Sequence, residues 1–159
     1  MNCSRSGYQL RFYPYRGKAE QRPENVSATA FPAYVLLQDE KYHHKNFVRY
    51  TDNWFTSFNQ LHILRERGIH FVGTVKGNRG GLPKRPQGRQ PKRIRGEFNT
   101  KSALFIGSPV YYTEWQDKKP FKILHTIKTY RDTCTRKTGQ GKWVVASQVI
   151  YTANNCQFI

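Results

Sequence analysis

FVRYTDNWFTSFNQLHILRERGIHFVGTV, residues 47–75, decides how this chain folds. Phe47 to Thr51 set aromatic and β-branched side chains in a row and read as a buried strand. Asp52-Asn53 breaks that pattern. Thr56 or Ser57 can cap a helix in which Phe58, Leu61 and Leu64 recur at three-residue spacing. Gly68 suits the position just past its C-terminus. Ile69, Phe71 and Val75 then alternate with His70 and Thr74, which predicts a second strand. The unit is strand–helix–strand, with one carboxylate, Asp52, at the C-terminal end of its first strand. Ligands and chemistry in open α/β sheets gather at that edge. Composition alone gives Asp52 a plainer role, as an acid that orders a tight turn through local hydrogen bonds.

The wording of the stretch adds to this. TDNWFTS, then LRERGIHFVGTVKGNRGGLP, closely resembles the core of piggyBac-type transposases. Members of that family carry an Asp-Asn-aromatic-aromatic-Thr-Ser motif, a helix, then Gly-Thr-(Val/Leu)-(Arg/Lys)-x-Asn-Arg and a Leu-Pro or Ile-Pro. The resemblance implies an α/β fold with a ribonuclease-H-like core, and makes Asp52 the middle one of three catalytic acids. In such a core two Mg²⁺ ions activate the attacking oxygen and stabilise the leaving one.

Ser6-Gly7-Tyr8 and Tyr15-Arg16-Gly17-Lys18 resemble the family segment that follows the first acid, yet none of Met1 to Arg5 is acidic. Val149 to Thr152 is faintly similar to the stretch before the third acid, and no acid follows it. The expectation is a truncated core in which Asp52, as catalytic and metal-ligating residue, lacks both partners. A hard cation that wants several oxygen ligands is then bound weakly or not at all. Asp39, Glu40 and Asp132 are stand-ins that no motif supports. Glu114 to Lys119 is similar to the family's Trp-x-Asp-Lys/Arg-Lys segment, which belongs to a β-rich insertion; Asp117 there reads as a turn residue.

Lys and Arg total 27 against 10 acids, a formal charge of +17, so polyanions are the expected partners and DNA the first of them. Residues 79–95, RGGLPKRPQGRQPKRIR, hold seven basic residues and no acid among three prolines and three glycines. Arg79, Lys84, Arg85, Arg89, Lys92, Arg93 and Arg95 are the candidate DNA contacts. Such a stretch cannot bury enough apolar surface to fold alone. Phosphate contact and a nuclear-import signal both suit its charge, and a nuclear location is the expectation. Arg65, Arg67 and Lys76 are further cations beside Asp52. Trp54 and Phe55 could stack on a base, against a competing role in the core.

The longest apolar run, Ala33 to Leu37, is far too short to span a membrane, and MNCSRSGYQLRF contains no apolar signal region. Cys3, Cys134 and Cys156 form no CxxC pair and read as free thiols.

The layout expected is one partial domain over 1–159. It comprises an α/β core over 6–78, a basic flexible loop over 79–101, and a β-rich insertion with a C-terminal strand over 102–159. Within it, Tyr8 to Phe12 reads as a half-buried strand, and Ser27 or Thr29 starts a helix that ends over Gln38 to Lys41. Leu104 to Ile106, Val110 to Trp115 and Phe121 to Ile127 read as strands, Tyr130 to Lys142 as a second basic loop, and Trp143 to Tyr151 as the last strand. Adjacent His43 and His44 make a poor metal pair and read as loop residues.

Two functions fit. One is a fragment or degenerate copy of a piggyBac-like DNA transposase that keeps DNA binding and, as the family does, admits a homodimer. The other is a non-enzymatic basic nucleic-acid-binding module in which Asp52 is structural.

Overall fold

A computed structural model describes residues 2–4, 6–17, 20–84, 94–137, 143–151 and 157–158, with side chains described through residue 128. β3 (Phe47–Thr51), α2 (Phe58–Glu66) and β4 (His70–Thr74) form the predicted strand–helix–strand unit. β3 and β4 are parallel, with Val48 beside His70 and Thr51 beside Gly73. A parallel pair needs a crossover, and α2 supplies it. Ser57 caps α2, its hydroxyl accepting from the Gln60 N–H at 3.1 Å. Gly68 ends the helix at φ +64°, and a Cβ there would lie 2.9 Å from the His44 Cα, so glycine is required on both counts.

The main sheet is mixed and six-stranded, in the order β10-β3-β4-β7-β6-β5. The remaining members are β5 (Phe98–Phe105), β6 (Ser108–Gln116), β7 (Pro120–His125) and β10 (Gln157–Phe158). β10 runs parallel to β3, and β4, β7, β6 and β5 are each antiparallel to the next.

Leu61 and Leu64 of α2 lie on one face with Phe71, Val110, Tyr112 and Leu124 from the sheet. Ala33 and Leu37, from the segment of α1 (Phe31–Leu36), join the same core. Val48, Val72, Ile123 and Ile127 form a separate buried cluster. Fully buried Leu61 and Leu64 each contribute about 1.5–3 kcal/mol by leaving water.

Several boundaries differ from the sequence reading. In the segment expected as an insertion, β7 pairs directly with β4 and extends its sheet. β5 starts at Phe98, inside the span expected as basic loop; backbone pairing with β6 needs no apolar alternation in Asn99 to Ser102. Ile106 lies in the turn that follows β5 rather than in a strand.

Tyr130 to Lys137, expected as part of a basic loop, belong to β8 (Thr129–Lys137), antiparallel to β9 (Trp143–Tyr151). Its threonines and tyrosine favour a strand despite the charge around them. The first helix is shorter than expected, and Glu40–Tyr42 forms a 3-10 turn after it. The Tyr8 to Phe12 strand shrinks to β2 (Gln9–Arg11), paired with β1 (Asn2–Cys3), and leaves Tyr8 and Phe12 exposed. Among the described residues no helix is long and apolar enough to cross a membrane.

Candidate active site

Asp52 follows the last residue of β3, and its side chain is exposed. Oδ1 accepts from the Trp54 N–H at 3.0 Å and the Phe55 N–H at 3.3 Å, so the carboxylate closes the turn it opens. Thr56 locks that turn from the other end. Its N–H and hydroxyl both donate to the Asp52 carbonyl, at 3.1 and 2.7 Å. With that proton committed, the Thr51 hydroxyl donates to Thr56 Oγ1 at 3.1 Å. Thr56 is fully buried, whereas Trp54 is 65% exposed. Every member of the Asp-Asn-Trp-Phe-Thr-Ser run thus borders one rigid turn at the C-terminal edge of the parallel strands.

Arg79 reaches this turn from the loop after β4, its Nη2 donating to the Asn53 carbonyl at 2.7 Å. Of the predicted site residues that are described, the structure brings together Asp52 and Arg79. Lys84 is exposed, and Arg95 pairs with Asp117 in the β6–β7 turn. Arg85, Arg89, Lys92 and Arg93 lie outside the described residues.

Two cations weighed as phosphate contacts hold the scaffold instead. Arg65 donates to the Phe105 and Pro109 carbonyls on either side of the β5–β6 turn. Arg67 donates to the Tyr34 carbonyl at 2.7 Å and lies 4.8 Å over the Tyr34 ring. Asp39 is spent as well, accepting from the Lys41 N–H and pairing with its ammonium at 2.9 Å, which lowers the carboxyl pKa. His43 bonds the Leu37 carbonyl at 2.8 Å.

Sequence reasoning missed Arg49. It sits in the middle of β3, nine-tenths buried, and donates to Asn2 Oδ1. Burial lowers its pKa to about 10, which leaves it charged at neutral pH. It missed His125 too, whose fully buried ring stacks on Tyr111.

Mg²⁺ can be tested against the donors present. Among the described residues no group of three His, Cys, Asp or Glu side chains could hold a metal ion. Asp52 alone, with Oδ1 already accepting two N–H groups, does not fit a two-ion centre.

Residues 1–155 match the family model described as Transposase IS4. No curated protein matches the chain. Among solved structures the chain is similar to a piggyBac transposase determined by cryo-EM in a synaptic complex with hairpin DNA. That likeness has 22% identity and a TM-score of 0.52, over 81% of this chain and 25% of the other, and is one of fold. The chain therefore spans about a quarter of that protein's length. It belongs to the Transposase IS4 family.

Proposed function

We propose that the chain is a piece of a piggyBac-like transposase that binds DNA through its basic segments and does not cleave it unaided. The observation that carries this reading is the exposed Asp52 carboxylate at the C-terminal end of β3, presented by a locked turn in a member of a transposase family. The parallel β3–β4 pair with its crossover helix supports a ribonuclease-H-like core. In this reading Asp52 is the catalytic and metal-ligating acid, residues 6–78 form the core, and Lys84, Arg85, Arg89, Lys92 and Arg93 supply phosphate contacts along with Arg79 and Arg95. A homodimer and a nuclear location belong to the same proposal.

Fluorescence anisotropy with duplex DNA tests it. Binding should show no sequence preference and weaken steeply with salt, since each neutralised phosphate releases counterions. Replacing Lys84, Arg85, Arg89, Lys92, Arg93 and Arg95 with Ser should flatten the salt slope; an unchanged slope excludes the basic segment as a phosphate contact. Supercoiled plasmid with Mg²⁺ or Mn²⁺ should stay intact. Metal-dependent nicking that disappears in Asp52→Ala would overturn the inactive half of the proposal.

The two N–H groups held by Asp52 favour a second reading, a non-enzymatic nucleic-acid-binding module in which that carboxylate is structural. Mg²⁺ titration followed at the Asp52 carboxyl by NMR separates the two. A shift confined to Asp52 and its neighbours supports a residual ion site, and no shift supports the module.

A further inference from the structure

We propose that Trp54 is a stacking platform for an unpaired nucleobase beside Asp52. The inference rests on the DNA-binding reading above and names a ligand group for the same site. An indole that is 65% exposed is an unusual surface feature, and the backbone that carries this one is bonded on both sides. The main-chain N–H of Trp54 donates to Asp52 Oδ1 at 3.0 Å. The carbonyl before it, on Asn53, accepts from Arg79 at 2.7 Å. Thr56, two residues on, is buried and bonded twice to Asp52.

The backbone that carries the ring is therefore ordered before any ligand arrives, which lowers the ordering cost of binding. Among the described residues Trp54 belongs to none of the buried clusters.

The surroundings select the ligand. Arg79 uses Nη2 on Asn53 and brings a guanidinium to the turn, while exposed Lys76 lies three residues before it. A flat apolar face with cations close by suits a group that joins an aromatic ring to a negative charge, and a nucleotide is that group. In a duplex both faces of each base are stacked, so the ring can engage only a base that is unpaired or at a strand end.

Three DNAs of equal length serve as probes in fluorescence anisotropy: a thymidylate single strand, an abasic single strand and a blunt duplex. Trp54→Ala should weaken binding to the thymidylate strand by about 5–150-fold. Binding to the abasic strand should change less than about twofold, because that strand offers phosphates without bases. Trp54→Phe should recover most of the loss, and unchanged thermal unfolding shows that the exposed site tolerates both changes. Equal losses on the abasic and thymidylate strands, or no loss on the thymidylate strand, overturn the stacking role and leave DNA binding intact. A wild-type chain that binds none of the three probes overturns the DNA-binding reading and the platform with it.

Discussion

Gly73 stands beside Thr51 in the parallel strands and directly against Thr56: a Cβ on Gly73 would lie 2.3 Å from Thr56 Oγ1 and 2.6 Å from Thr51 Oγ1. Those hydroxyls are the ones that lock the Asp52 turn. The glycine of the Gly-Thr-Val run thus leaves room for the threonine of the Asp-Asn-Trp-Phe-Thr-Ser run, two motifs that are separate in sequence and one unit in space.

Gly73→Ala should accordingly destabilise the chain by about 1–3 kcal/mol through overpacking. Thr56→Ala should be destabilising by itself, since it deletes a buried hydroxyl that both donates and accepts. In the double variant the added methyl occupies space that the hydroxyl has vacated, so the two losses should fall short of their sum. Urea unfolding of all four proteins measures this. Additive losses would show that the two sites do not share the space.

Asp52→Ala should cost about 1 kcal/mol in stability, the loss expected when the acceptor that closes a turn or caps a helix is removed. Asp52→Asn keeps a side-chain oxygen for the Trp54 and Phe55 N–H groups and should retain most of the stability. Thermal unfolding of both variants decides it. An Asn variant as damaged as the Ala variant would mean that the bonds to Oδ1 do not hold the turn.

How much of this could be read from the sequence depended on whether the cause was local. Ser57 as cap, Gly68 as stop and the alternation after it are local rules, and α2 and β4 follow them. The turn that Asp52 closes at the end of β3 was readable for the same reason. Arg65 and Arg67 were not, because their partners are main-chain carbonyls more than thirty residues away, and every residue has a carbonyl. The first part of β5 escaped notice because Asn99, Thr100, Lys101 and Ser102 show no apolar alternation; it exists through its pairing with β6. Arg49 resembles a solvent-facing strand residue until Asn2, 47 residues earlier, meets it.

His125 should make stability fall as the solution is acidified. Its Nδ1 lies 2.6 Å from the Ile127 carbonyl and must donate, so Nε2 accepts from the Thr113 hydroxyl at 2.8 Å and Thr113 in turn accepts from Thr100. Burial pushes the imidazole pKa down to about 4, against the partial opposition of the Ile127 carbonyl. Between its unfolded value near 6.5 and about 4, the unfolded chain therefore binds the extra proton. The stabilisation is complete above the unfolded value and lost as pH falls towards 4, up to about 3 kcal/mol in total. Urea unfolding at pH 7, 6, 5 and 4 should show the decline, and His125→Asn should flatten it while lowering stability at pH 7. An equal decline in the variant would assign the effect to other groups, of which His70, also lowered by burial, is the first.

Ile106 offers a stabilising change. It holds φ +49° and its neighbour Gly107 holds φ +72°, so both central residues of the two-residue β5–β6 turn lie in the left-handed region. That geometry matches the twist of antiparallel strands and favours Asn-Gly. A β-branched side chain there crowds its own backbone at a cost of about 1–2 kcal/mol. Ile106 recovers little of this by burial, being 61% exposed. Ile106→Asn should therefore raise stability by about 1 kcal/mol. The β5–β6 register should not move, because Arg65 still holds the Phe105 and Pro109 carbonyls. The check is urea unfolding: the midpoint should rise with the slope unchanged. A midpoint that stays or falls would show that Ile106 has a contact that offsets its strain.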